Sequence, residues 1–268
     1  MLELNHPLTQ QARELAERGG RAALEGFRRS HRVEDKTAGV HFDPVTEFDR
    51  AAERQMRSWL DQTHPEHGVL GEEEGAKPSS GPYRWVLDPI DGTRGFICGT
   101  NSWTTLVGLE VDEEAVVGVI HQPFTGESWV GAADGARFHG PVTRPLHSSG
   151  CTRLEEARLS TTDPRPSPLG YFSKEEAEAF RSLSQRTRVA RFSLDAYAYA
   201  LLAAGSLDLV VETGLERYDV AALIPVVRGA GGRISDWAGG TADGASRIVA
   251  AATEALHEAA LEILNASS

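Results

Sequence analysis

Cysteine is nearly absent from this 268-residue chain: Cys98 and Cys151 are the two present, far apart and without metal-type spacing. That excludes a disulfide framework and makes a reducing compartment the expected home. Long apolar runs are missing too; none approaches the ~20 residues that a membrane-spanning helix needs. The opening stretch MLELNHPLTQQARELAERGG carries acids and no apolar h-region, so no signal peptide is expected and the location is read as cytoplasmic. Basic residues are in deficit, with 27 Lys and Arg against 39 Asp and Glu and a formal net charge of −12. This balance argues against a nucleic-acid backbone or an anionic membrane as a partner. A small anionic substrate stays open, because a bound metal inverts the local field.

Several catalytic signatures are missing as well. The nine histidines form no HExxH pair, and there is no Walker A lysine loop and no GxSxG elbow. Asp88 and Asp91 do not have the D-x-D spacing of an aspartyl-phosphate enzyme. Neither cysteine is followed by the arginine of a cysteine-phosphatase loop, and His139 has no arginine directly before it. DPIDGT also lacks the D-x-[DN]-x-[DN]-G ladder of a calcium-sensing loop.

What remains is an ordinary globular composition, 40% hydrophobic and 25% charged, able to bury one large core or two smaller ones. Residues 8–29 read as an amphipathic helix with Leu8, Ala12, Leu15, Ala16, Ala23 and Phe27 on one face. After a polar loop to Pro44, a second helix starts near Thr46. Short β-type runs at 84–87, 103–111, 115–121 and 127–132 favour an antiparallel meander. A Gly-, Pro- and Ser-rich stretch at 133–156 follows. The second half then alternates strands (157–161, 188–192, 207–212, 232–236, 246–251) with helices (174–185, 195–204, 219–229, 253–265). Two halves are expected. Residues 1–140 form an α+β unit with most of the candidate ligands, and residues 141–268 form an α/β unit supplying Asp219 and substrate-pocket residues. Together they make a layered α/β sandwich with a cleft between them.

Four acidic segments fall at strand ends, tight loops and helix starts, where side chains converge on a cleft. They are Asp49 in PVTEFD, Glu72 and Glu73 in GEEEG, Asp88 and Asp91 in WVLDPIDGTRGF, and Asp219 in YDVAAL. Clustered carboxylates resist ionising unless a cation sits among them, and oxygen ligands without Cys or His select Mg²⁺, Mn²⁺ or Ca²⁺. Each acid also has a purely structural reading. Asp49 has capping-box spacing from Thr46, and Glu72–Glu74 could be a solvated turn. Asp91-Gly92 is a good turn pair, and Asp219 suits the start of a helix.

The ordered combination of GEE, DPIDGT behind a strand and D-x-A-A at a helix start resembles the inositol monophosphatase family. The likeness extends over nearly the whole chain. It implies an αβαβα sandwich of the inositol monophosphatase and fructose-1,6-bisphosphatase type, acting as a metal-dependent phosphomonoesterase, with homodimers frequent. The implied cofactor is Mg²⁺, about two or three ions, with Mn²⁺ as an alternative. Glu72, Asp88 and the Ile90 carbonyl are the implied ligands of one metal, and Asp88, Asp91 and Asp219 those of a second. The implied catalytic positions are Thr93, Glu72 and Asp49, with Thr93 and Asp49 orienting or activating the attacking water. Gly92 and Thr93 are placed against the phosphate.

PVTEFDRAAE, WVLDPIDGTRGFICG, the STTDP run, DAYAYALLAAG and LVVETGLERYDVAALIPVVRGAGG lean toward the histidinol-phosphatase branch. The resemblance puts Asp195 and Glu212 against the alcohol part of the substrate, where acids suit the ammonium of histidinol phosphate. Structurally, Asp195 reads as a helix N-cap and Glu212 as a surface acid at a strand end. Where that branch has a glycine pair, this chain has Ser193-Leu194, and Leu194 is expected to add bulk beside the pocket. Inositol 1-phosphate, adenosine 3′,5′-bisphosphate and a catalytically silent metal-binding member are the competing readings.

Overall fold

Pro7 begins the first helix, α1 (Pro7–Leu24), where a missing N–H costs nothing, and His6 Nδ1 caps it by accepting from Leu8 N at 3.2 Å. The computed structural model describes residues 2–30, 33–36 and 44–266, so the expected polar loop before Pro44 lies partly outside them. Buried Ala12, Leu15, Ala16 and Ala23 make the apolar stripe of α1. The helix stops at Leu24, short of the expected residue 29. Phe27 turns inward onto Phe96, Trp103 and Phe124, with ring centroids 5.6, 5.3 and 5.4 Å away, and Arg28 takes a left-handed φ of 60°.

Two short strands, β1 (Val33–Asp35) and β2 (Pro44–Thr46), pair antiparallel and lead into α2 (Glu47–Thr63). There follow β3 (Gly68–Gly71), β4 (Gly75–Lys77), β5 (Tyr83–Asp91), the short helix α3 (Thr93–Cys98), β6 (Thr104–Val111), β7 (Glu114–Gln122), β8 (Glu127–Ala132), β9 (Gly135–His139) and β10 (Arg144–Pro145). They build an eight-stranded sheet in the order β10-β9-β8-β7-β6-β5-β3-β4, in which β3 and β5 are the parallel pair. The strands β3 and β4 are too short to show an alternation and fall in a segment the sequence read as a loop, while β9 and β10 lie in the Gly-, Pro- and Ser-rich stretch at 133–156, where no strand was expected.

The remaining elements are β11 (Arg158–Thr161), α4 (Lys174–Ser184), β12 (Val189–Phe192), α5 (Tyr197–Ala203), β13 (Leu209–Glu212), α6 (Arg217–Val220), α7 (Leu223–Gly229), β14 (Arg233–Asp236), β15 (Ile248–Ala251) and α8 (Glu254–Asn265). A five-stranded sheet runs β12-β11-β13-β15-β14, with β11 parallel to both neighbours and β15 antiparallel to both of its own. The single helix expected over 219–229 is two. Pro225 has no N–H to return to the Ala221 carbonyl, and it sits in the first turn of α7, where that loss is tolerated.

Side-chain alternation fixes the layers. Val107, Leu109, Val117 and Val119 pack with Ala12, Leu15, Met56 and Leu60 of α1 and α2. On the other face of the sheet, Leu106, Ile120 and Trp129 join α5 and α7, together with Val210, Ile234, Ile248 and Ala250 of the second sheet. Their strand neighbours Leu209, Val211, Val249 and Ala251 face Phe180, Leu183, Leu256 and Ile263 of α4 and α8. Successive residues of one strand thus enter different cores, and the order of layers is αβαβα. The middle helices approach the first sheet closely because Gly118 and Gly131 carry no side chain. A Cβ there would meet the Ala222 carbonyl oxygen at 2.0 Å and that of Pro225 at 2.2 Å. No described helix is long and apolar enough to cross a membrane.

Candidate active site

Asp88 and Asp91 stand three residues apart on β5, a spacing that sends side chains to opposite faces of a regular strand. The sequence expectation ended the strand at Leu87; it continues to Asp91, and its register against β6 breaks on the way. Asp88 lies opposite Leu106 and Asp91 opposite Thr104, three steps on one strand against two on the other. This bulge re-aims one carboxylate so that both project to the same side. Pro89 is held by Thr105 Oγ1, which donates to its carbonyl at 2.8 Å, and Ile90 N donates to Asp88 Oδ1 at 3.1 Å. Carboxylate oxygens of Asp88, Asp91 and Asp219 lie within 4.8 Å of one another. Asp219 reaches them from the first turn of α6, steadied by Glu216 N donating to its Oδ2 at 2.7 Å.

Gly92 follows in the left-handed region, φ 78°, and a Cβ there would lie 3.0 Å from Asp195 Cγ, so glycine is required on two counts. Thr93 opens α3 and donates its hydroxyl to the Ile90 carbonyl at 3.0 Å. Asp91 Oδ2 accepts from Ala196 N at 2.8 Å, which ties the start of α5 to the end of β5.

Glu72 sits in the turn between β3 and β4. That turn is shaped from below by buried Glu53 of α2, which accepts from Glu73 N at 2.8 Å and Glu74 N at 3.0 Å and pairs with Arg57. Lys36 Nζ donates to Glu72 Oε1 at 2.8 Å and also to Glu73 Oε1.

These elements surround a cavity of about 420 Å³. Glu72, Ile90, Asp91, Gly92, Thr93, Asp195, Glu212 and Asp219 all line it. Asp88 lies beneath them, 1% exposed. Asp49 is not among the lining residues; it is buried in the capping box of α2, its Oδ2 accepting from Thr46 N at 2.9 Å and Thr46 Oγ1 at 2.5 Å. Glu212, read structurally as a surface acid, is buried at the end of β13, and Thr161 Oγ1 (3.2 Å), Thr162 N (2.8 Å) and Thr162 Oγ1 (2.9 Å) donate to it. Asp195 does not cap α5; it precedes the cap residue Ala196 with a left-handed φ of 49°. Leu194 is not among the lining residues either and packs against the central apolar cluster. On the rim Arg94 stacks over the Tyr171 ring, 4.4 Å from its centroid, and lies 3.6 Å from Asp163.

Burial dominates the electrostatics. It raises the pKa of Asp88 and Asp91 well above the carboxylate range, and neighbouring acids add to the effect: Glu72, Asp91 and Asp219 for Asp88, and Asp195, Asp219 and Glu72 for Asp91. Burial pushes Asp219 up to about 7 and Glu212 to about 8, against the hydrogen bonds that lower them. Glu72 is raised by burial and lowered in part by Lys36. Carboxylates gathered this closely without thiolate or imidazole donors suit a hard divalent cation, which would remove the repulsion. A second group, His64, Glu66 and His67, lines no part of this cavity. There Trp85 Nε1 donates to His67 Nδ1 at 3.0 Å, leaving the proton on Nε2, so His67 has no lone pair free for a metal.

Among the cavity and turn residues that the sequence reading did not assign are Lys36, Thr162, Tyr171 and Tyr199. Lys36 was legible as a lone lysine in VEDKT, and Tyr199 as a polar-tipped ring in the otherwise apolar AYALLAA. Thr162 lay within the STTDP run without being singled out, and Tyr171 carries no local signal.

An αβαβα fold whose buried acids converge on one cavity marks a metal-dependent phosphatase. The sequence matches the inositol monophosphatase family over residues 4–268, and the chain belongs to that family. The bifunctional phosphatase IMPL2 (chloroplastic) of Arabidopsis thaliana is 38% identical over 265 residues, 93% of this chain and 72% of the relative. A histidinol-phosphatase of Mycobacterium tuberculosis is 35% identical over 231 residues, 83% of this chain and 85% of the relative. Among solved structures, an inositol monophosphatase from Zymomonas mobilis superposes with a TM-score of 0.85 at 37% identity, covering 98% of this chain and 99% of its own.

Proposed function

We propose that this phosphatase is Mg²⁺-dependent and hydrolyses histidinol phosphate to histidinol and inorganic phosphate. The observation carrying the proposal is one cavity with two groups of acids. Asp88, Asp91 and Asp219 gather within 4.8 Å at one wall, and Asp195 and Glu212 line the same cavity separately. Glu72, Asp88, Asp91, Asp219 and the Ile90 carbonyl are the residues that would hold the metal. When bound, it supplies positive charge against the phosphate dianion and acidifies water.

The chain's own groups do the positioning. The Thr93 hydroxyl proton is engaged by Ile90, so its lone pairs face outward to accept from the attacking water and hold it. Asp49 lines no part of the cavity, so its assigned part in orienting that water runs through Glu72, its neighbour in charge. The backbone N–H groups of Gly92 and Thr93 are assigned to the phosphate. Asp195 and Glu212 take the substrate's ammonium, which a neutral polyol lacks. The histidinol-phosphatase relative supports this choice of ester.

The test compares kcat/KM for histidinol phosphate, inositol 1-phosphate and adenosine 3′,5′-bisphosphate in Mg²⁺. Histidinol phosphate is expected to lead by about tenfold or more, the worth of one charge-assisted hydrogen bond. Glu212→Gln is expected to erode that lead. A flat profile defeats the substrate assignment and leaves the phosphatase class standing.

A further inference from the structure

Tyr199, in the first turn of α5, lines the cavity and is 1% exposed. Its hydroxyl is buried and makes no hydrogen bond among the described residues. Trp103 and Trp129 also carry unpartnered buried N–H groups, but neither lines the cavity. The acids nearest in charge to Tyr199 are Glu212, Asp91 and Asp219. Glu212 accepts from Thr161 and Thr162, Asp91 from Ala196 N and Asp219 from Glu216 N, and none of the three accepts from Tyr199. A phenylalanine would fill the same space without stranding a hydroxyl, and stranding one costs stability. A residue of the cavity wall thus carries a buried donor with no partner, available to an acceptor that a ligand brings.

We infer that Tyr199 is a specificity residue, donating its hydroxyl proton to a neutral ring nitrogen in the alcohol part of the substrate. This rests on the histidinol phosphate reading and divides that substrate's recognition in two. The ammonium goes to Asp195 and Glu212, and the imidazole, a lone-pair acceptor, goes to Tyr199. Burial among carboxylates holds the phenol protonated, so it remains a donor across the working pH range.

The test uses Tyr199→Phe in the Mg²⁺-loaded enzyme with histidinol phosphate and ethanolamine phosphate, which keeps the ammonium and lacks the ring. The variant's ratio of kcat/KM for the two esters is expected to fall about fivefold, the worth of one neutral hydrogen bond. L-Histidinol binding, followed by calorimetry, is expected to weaken by the same factor. In the wild type the ratio declines below about pH 6.5, where the ring protonates and can no longer accept, and the variant lacks that limb. The ligand-free variant is expected to melt at or above the wild-type temperature, because the lost hydroxyl had no partner. An unchanged ratio, or equal losses on both esters, overturns the assignment of Tyr199 alone. A wild type that does not prefer histidinol phosphate to inositol 1-phosphate overturns the substrate reading, and this inference with it.

Discussion

Replacing Asp88 with asparagine separates the cost of gathering acids from their use. Asp88 is buried beside Glu72, Asp91 and Asp219, with oxygens of the last two within 4.8 Å. At an effective dielectric constant of about 20, each fully ionised pair at that separation repels by about 3 kcal/mol. Partial protonation relieves much of this, leaving a net gain of about 1–3 kcal/mol for Asp88→Asn without metal. The asparagine oxygen still accepts from Ile90 N, so the bulge keeps its local bond. In a chain of this length 1 kcal/mol moves Tm by about 2 °C, so the variant in EDTA should melt about 2–6 °C above the wild type.

The pH dependence has a definite sign. These carboxylates have folded-state pKa values raised above their unfolded values, Asp219 to about 7. The folded form keeps protons that the unfolded chain has released, so metal-free stability falls as pH rises from the ordinary carboxylate range toward neutrality. The advantage of the variant should therefore shrink toward about pH 5. Saturating Mg²⁺ reverses the order. At about 100 times its Kd the ion stabilises the wild type by about 2.7 kcal/mol, or about 5 °C, and the variant by much less. Turnover of p-nitrophenyl phosphate should fall at least about a hundredfold in the variant. Scanning calorimetry in EDTA and in Mg²⁺ decides the matter. A variant less stable than the wild type in EDTA at neutral pH, or equal stabilisation of both by Mg²⁺, refutes the reasoning.

Three further outcomes are expected. Thr93→Val should lose about a hundredfold or more in turnover with little change in Tm, and Thr93→Ser should recover most of it; an active valine variant removes the water-holding role. Asp49→Asn keeps an acceptor for Thr46 N, so turnover should fall while Tm stays near the wild type. Unchanged turnover would leave Asp49 as a cap alone. Gly118→Ala drives a methyl to 2.0 Å from the Ala222 carbonyl and should lower Tm by about 4–6 °C, for a cost of about 2–3 kcal/mol. An unchanged Tm would show that α7 does not depend on that close approach.

Much of the layered fold was legible because its long elements have a period. The apolar stripe of α1, the capping box of α2 and the Thr253 cap of α8 are local events, set by residues within a turn of each other. The failures share the opposite character. The early end of α1 depends on aromatic rings brought from α3 and the β7–β8 turn. The splitting of the 219–229 helix turned on one proline whose effect the apolar pattern masks. Ser193 illustrates a backbone demand: its φ of 63° is one a glycine adopts without strain, so the serine occupies a position where the related branch uses glycine.

The sequence alone determined the kinds of group available: oxygen acids in DPIDGT, GEEEG and YDVAAL, no competing thiolate or histidine motif, and alternations that demand two buried sheets. Tertiary structure decided which of those acids share a space. A bulge opposite Thr104–Leu106 put Asp88 and Asp91 on one side, α6 carried Asp219 to them, and the end of β13 placed Glu212 behind Thr162. Local propensity acts over a few residues, whereas electrostatic repulsion and cavity shape act between groups a hundred residues apart in the chain, so only the folded molecule could assign them to one cavity.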